Sequence, residues 1–182
     1  SFEKDFDSCF SKSLDSLKLS KTTKETIFKE IANDGINTFI LQINKFLNDK
    51  LKHEVPKNFN KFRVNEKIRF LIITRLKLID ELFNKADLLK LALRQKSFIS
   101  LNKMVFKISD EMWFLSGDIS TDFNYYSKRG ILMNIYSLSY LYNLRQNDFS
   151  KTEKFVNKQI DFTLRFGKVK SKFKKFFQSK LT

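Results

Sequence analysis

Residues 112–136 read MWFLSGDISTDFNYYSKRGILMNIY, and this stretch decides the fold. A tryptophan-bearing amphipathic segment runs into Ser116-Gly117, and the polar turn Asp118-Ile119-Ser120-Thr121-Asp122 follows at once. Gly117 stands where a helix closes in a left-handed C-cap, and Ser120 or Thr121 is placed to N-cap what comes next. Asp122 then falls in the first turn of the new helix, where its charge complements the helix dipole. Beyond it Ile131, Leu132, Ile135, Leu138 and Tyr142 recur at helical spacing, which predicts one buried stripe as far as about Leu144. Tyr125, Arg129, Leu132 and Tyr136 recur in the same way on a neighbouring face that need not be core.

The same helical periodicity extends outward in both directions. Phe2, Phe6, Phe10, Leu14 and Leu17 are spaced for one face of a first helix, and Ser20 is placed to N-cap a second over 21–32, anchored by Phe28 and Ile31. Asn33-Asp34-Gly35 is the clearest break in the chain. A long amphipathic helix is predicted over 37–53, and 54–60 holds the only proline, Pro56, and reads as a loop. Residues 64–83 are apolar on more than one side, which predicts a helix that is central to the domain or lines a cavity. Further helices are expected over 86–94 and 97–116. Sustained alternation at period two is missing, so the fold class is all-α.

Composition agrees with that class. A chain of 182 residues makes one domain most simply, and a globule of this size buries about 70% of its unfolded surface. Four Gly and one Pro leave few breaks between helices. A single cysteine, Cys9, excludes an internal disulfide and fits a reducing compartment. No apolar run approaches the ~20 residues of a membrane span, and no signal peptide is expected at the start. The net charge of +15 is partly discounted, because abundant Phe, Lys, Ile and Asn also reflect AT-rich codons.

The motif in 112–136 resembles the hallmark of the ubiquinone-biosynthesis accessory family, the Coq-nine proteins: MW-x-x-x-GD-x-S-x-DFN-x-Y-x-x-R-x-x-L-x-x-x-Y. Met112, Trp113, Gly117, Asp118, Ser120, Asp122, Phe123, Asn124, Tyr126, Arg129, Leu132 and Tyr136 match it without a gap. Weaker similarity extends through 148–160 and 17–28. The resemblance implies a TetR-like fold, with a helix-turn-helix remnant over 1–34, a lipid-binding and dimerising bundle over 35–166, and a basic amphipathic helix over 167–182. It also implies a non-enzymatic protein that holds an isoprenoid quinone intermediate in an apolar pocket. That intermediate would be presented to the demethoxyubiquinone hydroxylase, or an equivalent, on the inner face of a membrane (the mitochondrial matrix in a eukaryote). Carried over residue by residue, the partner-binding patch falls on Asp122, Tyr125 and Tyr126, with Arg129 close by. Tyr125 replaces the tryptophan common among eukaryotic relatives. The apolar surplus of 68–82 and 98–113 supplies lipid-binding candidates: Ile68, Leu71, Ile72, Leu76, Leu101, Val105 and Trp113. Simple core filling competes at each of them.

The C-terminal stretch 165–181, RFGKVKSKFKKFFQSKL, carries Phe166, Val169, Phe173, Phe176 and Phe177 at helical spacing. Arg165 and six lysines, Lys172, Lys174 and Lys175 among them, form its polar face without an acidic residue. Such a helix suits a membrane surface, each cation adding about 1 kcal/mol against an anionic leaflet. Phe173, Phe176 and Phe177 are the expected membrane anchors, and Gly167 a hinge before them. The competing reading is an ordinary final helix docked through its phenylalanines.

The alternative function is a TetR-type transcriptional regulator that binds DNA and an apolar ligand. Lys18, Lys21, Lys24 and Lys29 would suit phosphates. Against it, the sequence is expected to open at the second helix of the tri-helical unit, and 21–31 lacks the Arg, Asn or Gln that read base edges. Nucleic acid is therefore the disfavoured partner. Catalysis is disfavoured too. One histidine (His53) and one cysteine cannot make an ordinary zinc site. No Glu-x-x-His, GxSxG or GxGxxG occurs. No cofactor is expected, and capping roles are the simplest account of Asp118 and Asp122.

Overall fold

The computed structural model describes residues 2–17, 19–32, 35–94, 98–121 and 123–178, with side chains throughout except at 2–5, 32, 98 and 166–178. Among the described residues the chain is all-α, without a strand. It forms α1 (Phe2–Asp15), α2 (Lys21–Ala32), α3 (Ile36–Glu54), α4 (Val64–Leu82), α5 (Lys85–Leu93), α6 (Phe98–Leu115), α7 (Phe123–Asn143) and α8 (Phe149–Gln178), with a 3-10 turn at Phe59–Lys61. The helix starts follow local chemistry. Ser20 Oγ accepts from the Thr23 N–H at 3.2 Å and caps α2 as predicted. Asn84 Oδ1 accepts from Ala86 and Asp87 and caps α5. The Glu66 carboxylate reaches back to the Arg63 N–H at 2.8 Å, which satisfies a donor at the entry to α4.

α4 is the central helix. Leu71, Ile72 and Leu76 are fully buried, and the main core gathers around them from α3, α6, α7 and α8 through Leu47, Leu51, Ile108, Met112, Leu132, Val156 and Ile160. The near-continuous apolar circumference of α4 follows from this position, because it is packed from several sides. Polar ties fix the order of its neighbours. Arg69 of α4 bonds Asn157 and Asp161 of α8, and Lys52 of α3 pairs with Glu111 of α6 at 2.7 Å. α1 and α2 form a separate phenylalanine cluster on α3, in which the Phe10 ring lies 5.7 Å from Phe28 and 5.4 Å from Phe39.

Two features differ from the sequence reading. The buried face of α7 is Arg129, Leu132, Ile135, Tyr136, Ser139 and Asn143, while Ile131 and Leu138 are exposed. The neighbouring, partly polar face is thus the one that faces the core. Two of its polar members are satisfied internally: Arg129 donates to Asp110 and Asp118, and Asn143 donates to Asp80 at 2.8 Å and accepts from Thr152 at 2.8 Å. Polar groups placed this way are tolerated in the interior because their partners come with them. The buried Ser139 hydroxyl, by contrast, has no partner among the described residues. The second difference lies in α8, which runs as one helix through Gly167, so the C-terminal segment continues the eighth helix instead of hinging at that glycine.

The end of α6 matches its prediction closely. Gly117 has φ +87°, the Asp118 N–H donates to Trp113 O and the Gly117 N–H to Phe114 O, both at 3.0 Å. This pair of bonds is the Schellman closure. A Cβ at Gly117 would meet nothing within 4 Å, so the cost of a side chain there is purely conformational. Gly117→Ala is therefore expected to destabilise the chain by about 1–2 kcal/mol, with Gly117→Asn costing less. Urea unfolding midpoints of the two variants check this; equal midpoints for alanine and glycine would refute it.

Candidate functional site

The corner between α6 and α7 is built around Asp118. Its side chain is buried, and Oδ2 accepts from Arg129 Nη1 at 3.0 Å while Oδ1 accepts from Lys128 Nζ at 2.6 Å and Ser120 Oγ at 2.8 Å. Ser120 is thereby committed to Asp118 instead of capping α7, and Asp118 itself is an ion-pair centre, not a cap. Burial alone would push the Asp118 carboxyl up, but hydrogen bonds from Lys128, Ser120 and Arg129 outweigh it and hold the group down at about 2. Arg129 is only 3% exposed. Its Nε donates to Asp110 Oδ1 at 2.6 Å, and its guanidinium carbon lies 3.4 Å from the centre of the Tyr125 ring.

This network organises the surface above it. Tyr125 is half-buried between Arg129 and Asp110, to which its hydroxyl donates at 3.0 Å. The bond to Asp110, helped by desolvation, raises the Tyr125 phenol above its usual range. Tyr126 packs edge-on against Tyr125 with centroids 5.0 Å apart and is 65% exposed. Phe114 and Ile119 beside the corner, and Phe123 at the first turn of α7, are also exposed; Phe123 reaches 82%. Of the sequence-predicted patch, Tyr126 and part of Tyr125 lie at the surface and Arg129 lies beneath it as their support. Asp122 lies outside the described residues. The exposed partners Phe114, Ile119 and Phe123 were missed, although Phe123 belongs to the motif.

The second element is an apolar cavity of about 240 Å³ between α3, α4, α5, α6 and α7. Leu101 and Val105, two of the lipid-binding candidates, line it with Ile43, Leu88, Leu89, Met104 and Tyr140. Ile68 and Trp113 belong instead to a separate groove of about 260 Å³ between α4, α6, α7 and α8. Leu71, Ile72 and Leu76 are core residues and do not line the cavity, because the α4 face that carries them is sealed by neighbouring helices. The cavity's polar contribution comes from Arg75, Asn44, Tyr136, Ser137 and Tyr140. Arg75 was missed, since a single arginine in an apolar run gives no sign of which way it faces. Burial, together with the neighbouring Tyr136 and Asp80, pushes the Tyr140 phenol up, and its hydroxyl donates to Lys85 O at 2.7 Å.

His53 is exposed at the end of α3, and no cluster of three metal-ligating side chains occurs among the described residues. No described helix is long and apolar enough to cross a membrane. The predicted membrane anchors Phe173, Phe176, Phe177, Lys172, Lys174 and Lys175 fall on α8, but their side chains lie outside the described ones.

A family model described as COQ9 matches residues 100–167, which run from α6 through the corner and α7 into α8. Among curated proteins, the chain is 28% identical over 109 residues to "Probable ubiquinone biosynthesis protein coq9, mitochondrial" of Dictyostelium discoideum, covering 58% of this chain and 36% of that protein. It is 27% identical over 149 residues to the mitochondrial ubiquinone biosynthesis protein COQ9 of Rattus norvegicus, covering 78% and 48%. The Bos taurus protein of that name is 36% identical over 70 residues, covering 37% and 22%. The chain thus spans less than half the length of each of these relatives. The family match covers the Asp118 corner and its exposed aromatics together with one wall of the cavity, and over that segment the chain is similar to the COQ9 family.

Proposed function

We propose that this chain is a non-enzymatic, lipid-binding accessory factor of ubiquinone biosynthesis, the process that the names of its relatives give for them. It binds an isoprenoid quinone intermediate or related lipid and presents it to a membrane-bound hydroxylase of the demethoxyubiquinone type. The observation that carries this reading is the cavity of about 240 Å³, whose walls are mostly aliphatic. A lipid tail needs concave apolar walls with few polar groups to orient the head. The rigid aromatic corner supports the presenting role, because exposed tyrosine on a fixed base is the kind of residue that dominates protein interfaces. The seven cations and absent acids of 165–181 support docking on a membrane surface. The relatives' mitochondrial designation supports a matrix location for a eukaryotic source.

Native mass spectrometry with an added isoprenoid quinone tests the lipid step. Binding is expected in the unaltered chain and in one truncated after Phe166, whereas Val105→Trp, which fills the cavity, should lower occupancy at least about tenfold while costing about 1–3 kcal/mol of stability. Liposome association is expected to be lost only on truncation. A Val105→Trp protein that binds the quinone as the parent does would exclude this cavity as the lipid site.

A further inference from the structure

Arg75, in the middle of α4, is fully buried and forms part of the cavity wall. Its Nε donates to Tyr136 Oη at 3.2 Å, its Nη2 to Asn44 Oδ1 at 2.8 Å, and its Nη1 to Asn48 Oδ1. All of these acceptors are neutral. A guanidinium carries five N–H donors and stays protonated, so one N–H on each terminal nitrogen has no acceptor among the described residues, and the charge has no carboxylate. The contrast with Arg129 is direct, since that equally buried cation lies between Asp110 and Asp118. Carboxylates on the surrounding helices are engaged elsewhere: Glu111 with Lys52, and Asp80 with Lys85 and Asn143. Tyr136 adds to the imbalance. Its hydroxyl oxygen accepts from Arg75, which leaves its own O–H hydrogen without an acceptor among the described residues.

A buried cation without a counter-charge is costly unless something completes it. Here the unfilled donors belong to two residues that line an otherwise aliphatic cavity. The cavity also has a direction. Leu93 and Leu141 line it and are themselves exposed, which places the mouth beside them and Arg75 away from solvent. A space of about 240 Å³ is below the span of roughly 300–1,000 Å³ usual for whole-ligand pockets. It accommodates a head and the first part of a chain, and the remainder must leave by the apolar mouth.

We infer that the cavity takes an amphiphile head first, with an anionic oxygen on the head paired to Arg75 and Tyr136 and the apolar tail leaving past Leu93 and Leu141. This rests on reading the cavity as the lipid site, and it selects lipids whose head is acidic over those with a neutral head. The anionic oxygen could be a carboxylate or an ionised ring hydroxyl, and the two sources are separable.

Calorimetric titration of the full chain near neutral pH tests this with two matched pairs of probes. One is dodecanoate against methyl dodecanoate; the other is a hydroxy-alkyl-naphthoquinone against its O-methyl ether. The acid of at least one pair is expected to bind at least about tenfold tighter than its methylated form, and the pair that shows the preference names the source. Arg75→Met should abolish the preference and Arg75→Lys keep part of it. If Arg75→Met does not fold, the acid-against-methylated comparison on the unaltered chain still decides. Equal binding of both members in both pairs, or a preference that survives Arg75→Met, would overturn the head-first assignment while leaving the cavity a lipid site. If no probe binds at all, the lipid-binding reading fails with it.

Discussion

Asp118→Ala is expected to lower the unfolding free energy by about 3–5 kcal/mol, the range for stripping one partner from a buried ion pair. Asp118 and Arg129 are both almost fully buried, so removing the carboxylate strands a guanidinium and leaves Lys128 and Ser120 without their shared acceptor. Asp110 still holds Arg129 Nε, but it is 42% exposed and screened by solvent, so it offsets only part of the loss. Arg129→Met should cost a similar amount, and the double variant less than the sum, because the partners' penalties are shared. Urea unfolding of the three proteins measures this. A near-additive double variant would mean that the two groups do not act as a pair.

The same site predicts an acid dependence. In the folded chain the Asp118 carboxyl titrates at about 2, below its ordinary value of 3.8, since the bonds from Lys128, Ser120 and Arg129 outweigh desolvation. A depressed carboxyl adds stability that is complete above its unfolded value and is lost as pH falls through its folded value. About 2 kcal/mol should therefore disappear between about pH 5 and pH 2. Asp118→Asn should flatten that part of the stability profile, and a slope unchanged from the parent would assign the acid sensitivity to other carboxylates.

The helices were legible because apolar residues recur at helical spacing and because the breaks use chemistry that admits few readings. Gly117 at positive φ and Ser20 as an N-cap were both readable, since each satisfies a backbone need that is local in sequence. The rotation of α7 was not. Leu132 and Ile135 belong to the buried face, but Ile131 and Leu138 share their hydrophobicity and face outward, while Arg129, Ser139 and Asn143 face inward. Arg129 and Asn143 depend on Asp110, Asp118, Asp80 and Thr152, partners that only the fold brings together. Arg75 was hidden for the same reason. Its acceptors Asn44, Asn48 and Tyr136 come from α3 and α7, and nothing in the α4 sequence announces them. Likewise the lipid candidates divided by orientation: Leu101 and Val105 reach the cavity, whereas Leu71, Ile72 and Leu76, equally apolar, are sealed in the core. Periodicity locates a helix, but its facing is set by long-range polar pairing.

Under the proposed presenting role, Tyr126→Ala and Phe123→Ala are expected to weaken binding of a demethoxyubiquinone-type hydroxylase by at least about 30-fold each, the loss typical of an aromatic interface anchor. Both side chains are largely exposed, so neither has much to lose on the folded side, and stability should shift by no more than about 0.5 kcal/mol. Under that role, the fixed base of Tyr126 is what would make it a strong anchor. It leans edge-on against Tyr125, whose ring is stacked on Arg129 and whose hydroxyl is tied to Asp110. Little side-chain freedom then remains to be lost on association. Arg129→Met provides the contrast, because it removes the support without touching the surface, and it should reduce hydroxylase binding and stability together. Tyr125→Phe removes only the Asp110 bond and should fall between the parent and Tyr126→Ala in affinity. Surface plasmon resonance against the purified hydroxylase, paired with urea unfolding of each variant, separates these cases. Parent-like affinity in both Tyr126→Ala and Phe123→Ala would exclude this corner as the docking face, whatever the cavity binds.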